Sequence, residues 1–288
     1  MSSAGRPAIQ LPAGMAQRAR DVLSGKIPPV TPRDAATVML LRPAEHTPGT
    51  DTGLQVYMLR RMPTMAFAPG AFVFPGGSVD PRDAEIEVEW AGPDATEWAQ
   101  LIDAPPELAR ALICAAVRET FEESGVLLAG PAPDTVVADT RGDDWEADRR
   151  ALLARSVSLA GLLRQRGLVL RSDLLRAWSR WITPVTEERR YDTRFFAAAL
   201  PEGQRARDVS GEADKAGWVQ PAEALDAARR REIVLLPPTA VTLGELGACE
   251  RLSTALTARR RLTALIPEVY LEDGAVWLTV PPGLDYPL

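Results

Sequence analysis

Arg118-Glu119-Thr120-Phe121-Glu122-Glu123-Ser124-Gly125 places three carboxylates on two adjacent turns of one predicted helix. Glu119, Glu122 and Glu123 are related by i, i+3 and i+4, so they share a face and repel one another. They also stand at the C-terminal end of the helix, just before Gly125, where the helix dipole disfavours negative charge. A segment selected only for stability would not combine these features. A bound divalent cation removes both objections, because hard cations prefer carboxylate oxygens. The plainer alternative is a solvated acidic face on an amphipathic helix, and three glutamates alone do not separate the two.

The flanking residues do. Upstream lie Phe72-Val73-Phe74-Pro75-Gly76-Gly77 and then Asp83; downstream lie Gly125-Val126-Leu127-Leu128. The set resembles the Nudix box of the Nudix hydrolases, in which a glycine and an acid precede Arg-Glu-U-x-Glu-Glu-x-Gly-U, with U usually apolar. Gly77 takes the opening glycine, and Asp83 stands where the family usually has Glu. Arg118, Glu119, Glu122, Glu123 and Gly125 match, and Val126 fills the last apolar position. Thr120 departs at the first U. The spacing departs further: Gly77 and Arg118 are 41 positions apart (118 − 77), which marks an insertion at roughly 84–110. The insertion puts the role of Asp83 in question but leaves the glutamate cluster intact.

The resemblance implies an α+β fold, a Nudix-type α/β/α sandwich with a mixed sheet plus helical insertions. It implies Mg²⁺ or Mn²⁺ on the helix, held by Glu119, Glu122 and Glu123, with Arg118 orienting one of them by a charge-assisted hydrogen bond. The implied reaction is hydrolysis of the diphosphate of a nucleoside diphosphate linked to another moiety. The chemistry suits the residues: cations neutralise phosphoryl oxygens and activate water for displacement at phosphorus.

Bulk properties bound the rest. The 288 residues are 46% hydrophobic and 25% charged, an ordinary globular composition. A net charge of −6 argues against a nucleic-acid or membrane-surface binder, so an anionic substrate needs locally clustered arginines. Cys114 and Cys249 are the only cysteines and have no neighbours at metal-ligand spacing. The single histidine, His46, falls in a predicted loop tip, which argues against zinc or histidine-based catalysis. With no secretory signal pattern and no long apolar run, the chain reads as cytoplasmic, without a membrane span.

Along the chain, residues 1–30 read as a flexible, poorly packed arm with a short helical candidate near Met15–Leu23. Residues 31–288 read as one domain with insertions at about 84–110 and 131–180. Ala35–Leu41 and Leu54–Leu59 read as a strand hairpin, and Ala71–Phe74 as a short strand ending at Pro-Gly-Gly. The glutamate helix is expected from about 105 to 124, stopped by Gly125. Residues 143–167 and 171–180 show helical periodicity. Strands are expected at Tyr191–Leu200 and Ala216–Gln220, helices at Pro221–Arg231 and within Pro238–Leu265, and a hairpin at Val269–Val280 turning at Asp273-Gly274.

Further candidates follow. By resemblance, a loop glutamate a few residues before a Trp approaches the metals from across the site; Glu212, before Trp218, takes that place as a fourth ligand or base, with Glu187 and Glu188 as rivals. Arg190 and Arg194 share a strand face and suit phosphate oxygens. Arg60 and Arg61 at a strand end, and Gly76 and Gly77 by close backbone approach, complete the substrate-binding candidates. Leu59-Arg60-Arg61, Trp181-Ile182-Thr183-Pro184 and Leu236-Pro237-Pro238-Thr239 extend the resemblance to the long-insertion Nudix proteins that include coenzyme A diphosphatases. Gly70-x-x-x-Phe74-Pro75-Gly76-Gly77 matches the end of a coenzyme A signature, but its arginine is Ala66 here. Three readings stand: a diphosphatase of coenzyme A or acyl-coenzyme A, with ADP-ribose or NADH as the competing small-molecule nucleotide substrate; a Nudix-fold sensor without turnover; and an interaction module, including a homodimer, using Trp90, Trp98, Trp178 and Trp181.

Overall fold

The computed structural model describes residues 8–44, 53–65, 68–84, 88–207, 213–284 and 286–287. Candidates His46, Ala66 and Glu212 lie outside them. In chain order, β1 (Ala8–Gln10) and α1 (Ala13–Leu23) precede β2 (Arg33–Pro43) and β3 (Leu54–Arg61). The short strands β4 (Ala71–Val73) and β5 (Gly76–Ser78) follow, then a 3₁₀ turn at Pro81–Ala84. β6 (Trp90–Ala91) and α2 (Ala95–Ile102) lead into α3 (Pro106–Ser124), the glutamate helix. Next come β7 (Ala129–Gly130), α4 (Asp143–Leu153), α5 (Leu159–Arg166), β8 (Val169–Arg171), β9 (Arg176–Ile182) and β10 (Tyr191–Ala199). β11 (Ala213–Val219), α6 (Pro221–Arg229), β12 (Val234–Leu235), α7 (Pro237–Gly247) and α8 (Leu252–Thr257) precede β13 (Ala264–Leu265) and the hairpin β14 (Glu268–Glu272) and β15 (Ala275–Thr279).

Among the described residues the main sheet runs β12-β4-β3-β2-β10-β9-β13, with β11 also on β3 and β5 also on β2. It is mixed: β10 is parallel to β2, while β3 and β9 are antiparallel to their neighbours. The β2–β3 hairpin is paired at Leu41–Pro43 and then splays. β4 takes the freed edge of β3, and β5 takes that of β2, with Gly77 opposite Ala36. The splay keeps Gly76 and Gly77 beside α3.

Strand alternation builds the two helical layers. Ala36, Val38 and Leu40 of β2 pack with Leu112, Ala116 and Phe121 of α3 on one face. Met39 and Leu41 pack with Leu225, Leu243 and Ala255 of α6, α7 and α8 on the other. Burying a side chain such as Phe121 contributes roughly 1.5–3 kcal/mol. Pro106 starts α3 where its missing N–H is no loss, and Gly125, with φ 71°, stops it in a left-handed conformation.

Two expectations meet a different structure. Residues 171–180, read as helical, hold the end of β8, a 3₁₀ turn and β9. Trp178 and Trp181, three apart, join one cluster because the register skips Trp178 as a bulge between Phe195 and Phe196, reversing the alternation there. That spacing mimics a helix face. Part of the segment read as a poorly packed arm is packed: β1 pairs with β15, and Leu11, Ala16 and Ala19 close on Val276, while residues 23–26 and 28–30 stay exposed. Trp98, Trp178 and Trp181 are buried, so three of the four tryptophans weighed for an interface serve the core. No helix among the described residues is long and apolar enough to cross a membrane.

Candidate active site

α3 is buried along most of its length, and its last turns project acids into a cavity of about 1230 Å³. Arg118 organises them. Its Nε and Nη2 donate to the two carboxylate oxygens of Asp83, each at 2.9 Å. Its Nη1 donates to Glu119 at 2.7 Å and Glu122 at 3.2 Å, and Nη2 also reaches the Ser78 carbonyl at 3.0 Å. One guanidinium is thus shared by three carboxylates. The long insertion leaves Asp83 in place: the 3₁₀ turn packs against α3 and buries Asp83 there, while α2 of the insertion packs beside α3.

Two glycines meet the remaining acids. The Gly76 amide donates to Glu123 at 2.9 Å. A Cβ on Gly77 would lie 2.5 Å from the Glu119 carboxylate, so only glycine lets that acid sit against the strand. Thr120, the departure from the apolar pattern, donates its hydroxyl to the Ala116 carbonyl at 2.7 Å and so buries no unpaired group.

The electrostatics are unfavourable by themselves. Burial pushes the Glu119 carboxyl up to about 7 against the pull of Arg118, and Glu122 and Asp83 push the same way. Burial also raises Glu122, again opposed by Arg118. Burial would lower Arg118, but Asp83, Glu119 and Glu122 outweigh it and raise it. The helix terminus is relieved from outside: buried Arg149 of α4 donates to the Glu122 carbonyl at 2.8 Å. Among the described residues, no three acid, thiol or imidazole groups already converge as the shell of an ion. Arg118 spans Glu119 and Glu122, and Gly76 holds Glu123. The donor set still fits a hard cation: carboxylate oxygens open to one cavity, with more acids than the shared guanidinium neutralises.

The other candidates divide. Arg61, Gly76 and Gly77 line the cavity. Arg60 is not among its lining residues; it pairs with Asp214, Nε to Oδ1 at 2.6 Å. Arg190 and Arg194 do share a face, but Tyr191, Thr193 and Phe195 on the alternate positions face the cavity. Buried Arg194 is held by Asp34 at 2.9 Å and Asp192 at 3.0 Å. Arg190 donates to the carbonyls of Thr183 at 3.0 Å and Val30 at 2.7 Å. Both are spent on structure because a strand's period of two does not say which face meets the ligand. Of the loop acids, Glu187 lines the cavity, whereas Glu188 is exposed beside Arg18 at 3.7 Å.

Three cavity arginines had no sequence signal. Arg33 begins β2. Arg82 donates to both oxygens of Asp80, at 2.9 and 3.0 Å, and to the Arg155 carbonyl at 2.8 Å. Arg155, at the end of α4 with φ 55°, brings the second insertion to the rim. Only Asp80-Pro81-Arg82-Asp83, a turn-forming acid–arginine cluster, offered a hint.

A family profile described as the NUDT19 Nudix domain matches residues 93–246. A Caenorhabditis elegans protein named putative nudix hydrolase 7 is 28% identical over 219 residues, 74% of this chain and 60% of that protein. The acyl-coenzyme A diphosphatase NUDT19 of Homo sapiens is 30% identical over 250 residues, 72% of this chain and 66% of that protein. The chain thus spans about three fifths of the length of the worm relative. A NUDIX hydrolase crystal structure from Alicyclobacillus acidocaldarius superposes with a TM-score of 0.64 at 28% identity, over 81% of this chain and 98% of that one. The fold is that of a Nudix hydrolase, α+β with a mixed sheet.

Proposed function

We infer that this chain, which belongs to the NUDT19 family of Nudix domains, is a divalent-metal-dependent diphosphatase acting on coenzyme A or acyl-coenzyme A. The products are adenosine 3′,5′-bisphosphate and (acyl)phosphopantetheine. The observation that carries this reading is the set of Glu119, Glu122 and Glu123 on one large cavity, braced by Arg118, Asp83 and the Gly76 amide.

Glu119, Glu122 and Glu123 would hold Mg²⁺ or Mn²⁺, with Glu212 proposed as a further ligand or base. When bound, the cation neutralises phosphoryl oxygens and activates a water for attack at phosphorus. The chain's own residues do the positioning. Asp83 fixes the plane of Arg118, and Arg118 fixes Glu119 and Glu122. Gly77 keeps the strand out of the way of Glu119. Arg61 faces the cavity as a donor for substrate phosphates. A sensor without turnover would have no use for three repelling carboxylates.

Product analysis tests the reading. With Mg²⁺ or Mn²⁺, coenzyme A should yield adenosine 3′,5′-bisphosphate, resolved by chromatography and mass spectrometry. AMP from ADP-ribose or NADH, with coenzyme A untouched, would replace the substrate; Ala66 in place of the signature arginine favours that second reading. No product from any of them would return the chain to a binding role.

A further inference from the structure

We propose that the part of the cavity walled by α1, the C-terminal hairpin and the end of β9 is an acyl-chain subsite, so that the acyl–pantetheine arm runs away from the α3 glutamates towards these elements. The proposal rests on the coenzyme A reading and adds the place, the wall and the direction.

The wall is built by residues distant in sequence. α1 buries Ala16 and Ala19 against the small β1-β15-β14 sheet. Met15 points elsewhere: it lines the cavity and remains 43% exposed. Leu11, Pro267 and Leu278 line the same region, and Trp181, Ile182 and Pro184 bring the end of β9 to it. Arg18 of α1 clasps the two sides, donating to the Thr186 carbonyl at 3.0 Å. Val185 and Ile266, neighbours of lining residues, are also large exposed apolar side chains. Apolar groups gathered at an opening, next to a polar reaction centre, mark a ligand-binding surface.

This wall and the glutamates belong to one cavity. Its floor crosses β5, β2, β10 and β9 through Gly76, Thr37, Thr193 and Trp181, which the strand register puts on one face. Three strand spacings make about 14 Å, a distance suited to a flexible arm rather than a base or ribose.

Charge sets the direction. Arg82 and Arg155 lie on the insertion side of α3 and share the single carboxylate of Asp80, so that side keeps a net positive charge for a phosphorylated nucleoside. On the side of the apolar wall, Arg33 is accompanied by Asp34 and Glu187, which oppose a phosphate there. The alternative occupant of the wall, the adenosine 3′-phosphate end, would bring its charge against Glu187 and Met15.

The test is the preference for octanoyl-coenzyme A over coenzyme A, measured as the ratio of kcat/KM and as the ratio of Kd by calorimetry in EDTA. Each buried methylene should improve binding about fourfold, so the wild-type ratio should exceed roughly tenfold once two methylenes are buried. Met15→Glu should bring both ratios to within about twofold of unity, and Leu278→Ser should reduce them. Met15 is exposed enough that its variant should fold, which circular dichroism would check. Equal ratios in the wild type, or undiminished ratios in both variants, would overturn the subsite while leaving coenzyme A hydrolysis standing. Cleavage of ADP-ribose without coenzyme A would instead remove the substrate reading, and the subsite with it.

Discussion

Arg118 and Asp83 meet as a two-point ion pair across 35 residues of sequence, with both N–H···O distances at 2.9 Å. Both side chains are buried. The pair fixes one end of a guanidinium whose other end holds Glu119 and Glu122. Removing one partner from a buried pair costs about 3–5 kcal/mol, because the other charge is left without compensation. Asp83→Asn should therefore lower stability by roughly that amount in urea unfolding. It should also reduce kcat/KM at least tenfold through misplaced glutamates. An unchanged unfolding midpoint would remove the pair from its positioning role.

Glu122→Gln separates chemistry from stability. Burial already disfavours the charged form of Glu122, so the neutral amide should keep the fold. Activity should fall by roughly two orders of magnitude or more, as expected when a metal-held transition state is lost. EDTA should abolish wild-type turnover, and Mn²⁺ or Mg²⁺ should restore it. Full activity in the variant would refute the ligand assignment.

Glycine substitutions give a matched contrast. Gly77→Ala puts a methyl 2.5 Å from the Glu119 carboxylate, whereas a Cβ on Gly217 meets nothing within 4 Å. The first should cost at least tenfold in kcat, and the second should stay within about twofold. A melting curve for each variant separates a displaced carboxylate from a general loss of fold.

Acid should expose the Asp80–Arg82 pair. Hydrogen bonds from Arg82 hold the Asp80 carboxyl well below the usual carboxylate range. The unfolded chain titrates near 3.9, so the stabilisation is fully present above about pH 5 and is lost as pH falls through the depressed folded value. The Tm gap between wild type and Asp80→Asn should thus be widest near neutrality and shrink below about pH 4. A gap independent of pH would mean that packing, not ionisation, sets the contribution.

Arg194 should behave as a structural residue. Burial lowers its pKa, against Asp192 and Asp34, which favour the charged form. Arg194→Ala should destabilise by about 3–5 kcal/mol in urea unfolding while changing KM less than threefold for the folded fraction. A large KM effect without destabilisation would return Arg194 to the substrate.

The glutamates, glycines and helix stop were legible because each obeys a local rule: carboxylates on one helix face, a left-handed terminus, glycine where a side chain approaches. The β2–β3 hairpin and the final hairpin were legible from alternation and turn chemistry. Trp178 and Trp181 were misread because a bulge gives a strand the spacing of a helix face. Arg190 and Arg194 were placed correctly relative to each other, but the choice of face depends on which helical layer covers it. Arg33, Arg82 and Arg155 reach the cavity only through tertiary contacts, which one-dimensional spacing does not encode.

β1 is zipped to β15, with Ala8 opposite Thr279. The consequence is one of timing. Gly76, Gly77, Asp83 and the three glutamates all lie within 47 positions of one another (123 − 76) and are made before Leu278. The apolar wall needs Leu11 and Leu278, which stand 267 positions apart in the sequence (278 − 11). Contacts of such long separation are slow to form. A nascent chain can therefore carry a finished set of acids while the neighbouring wall still awaits its other end.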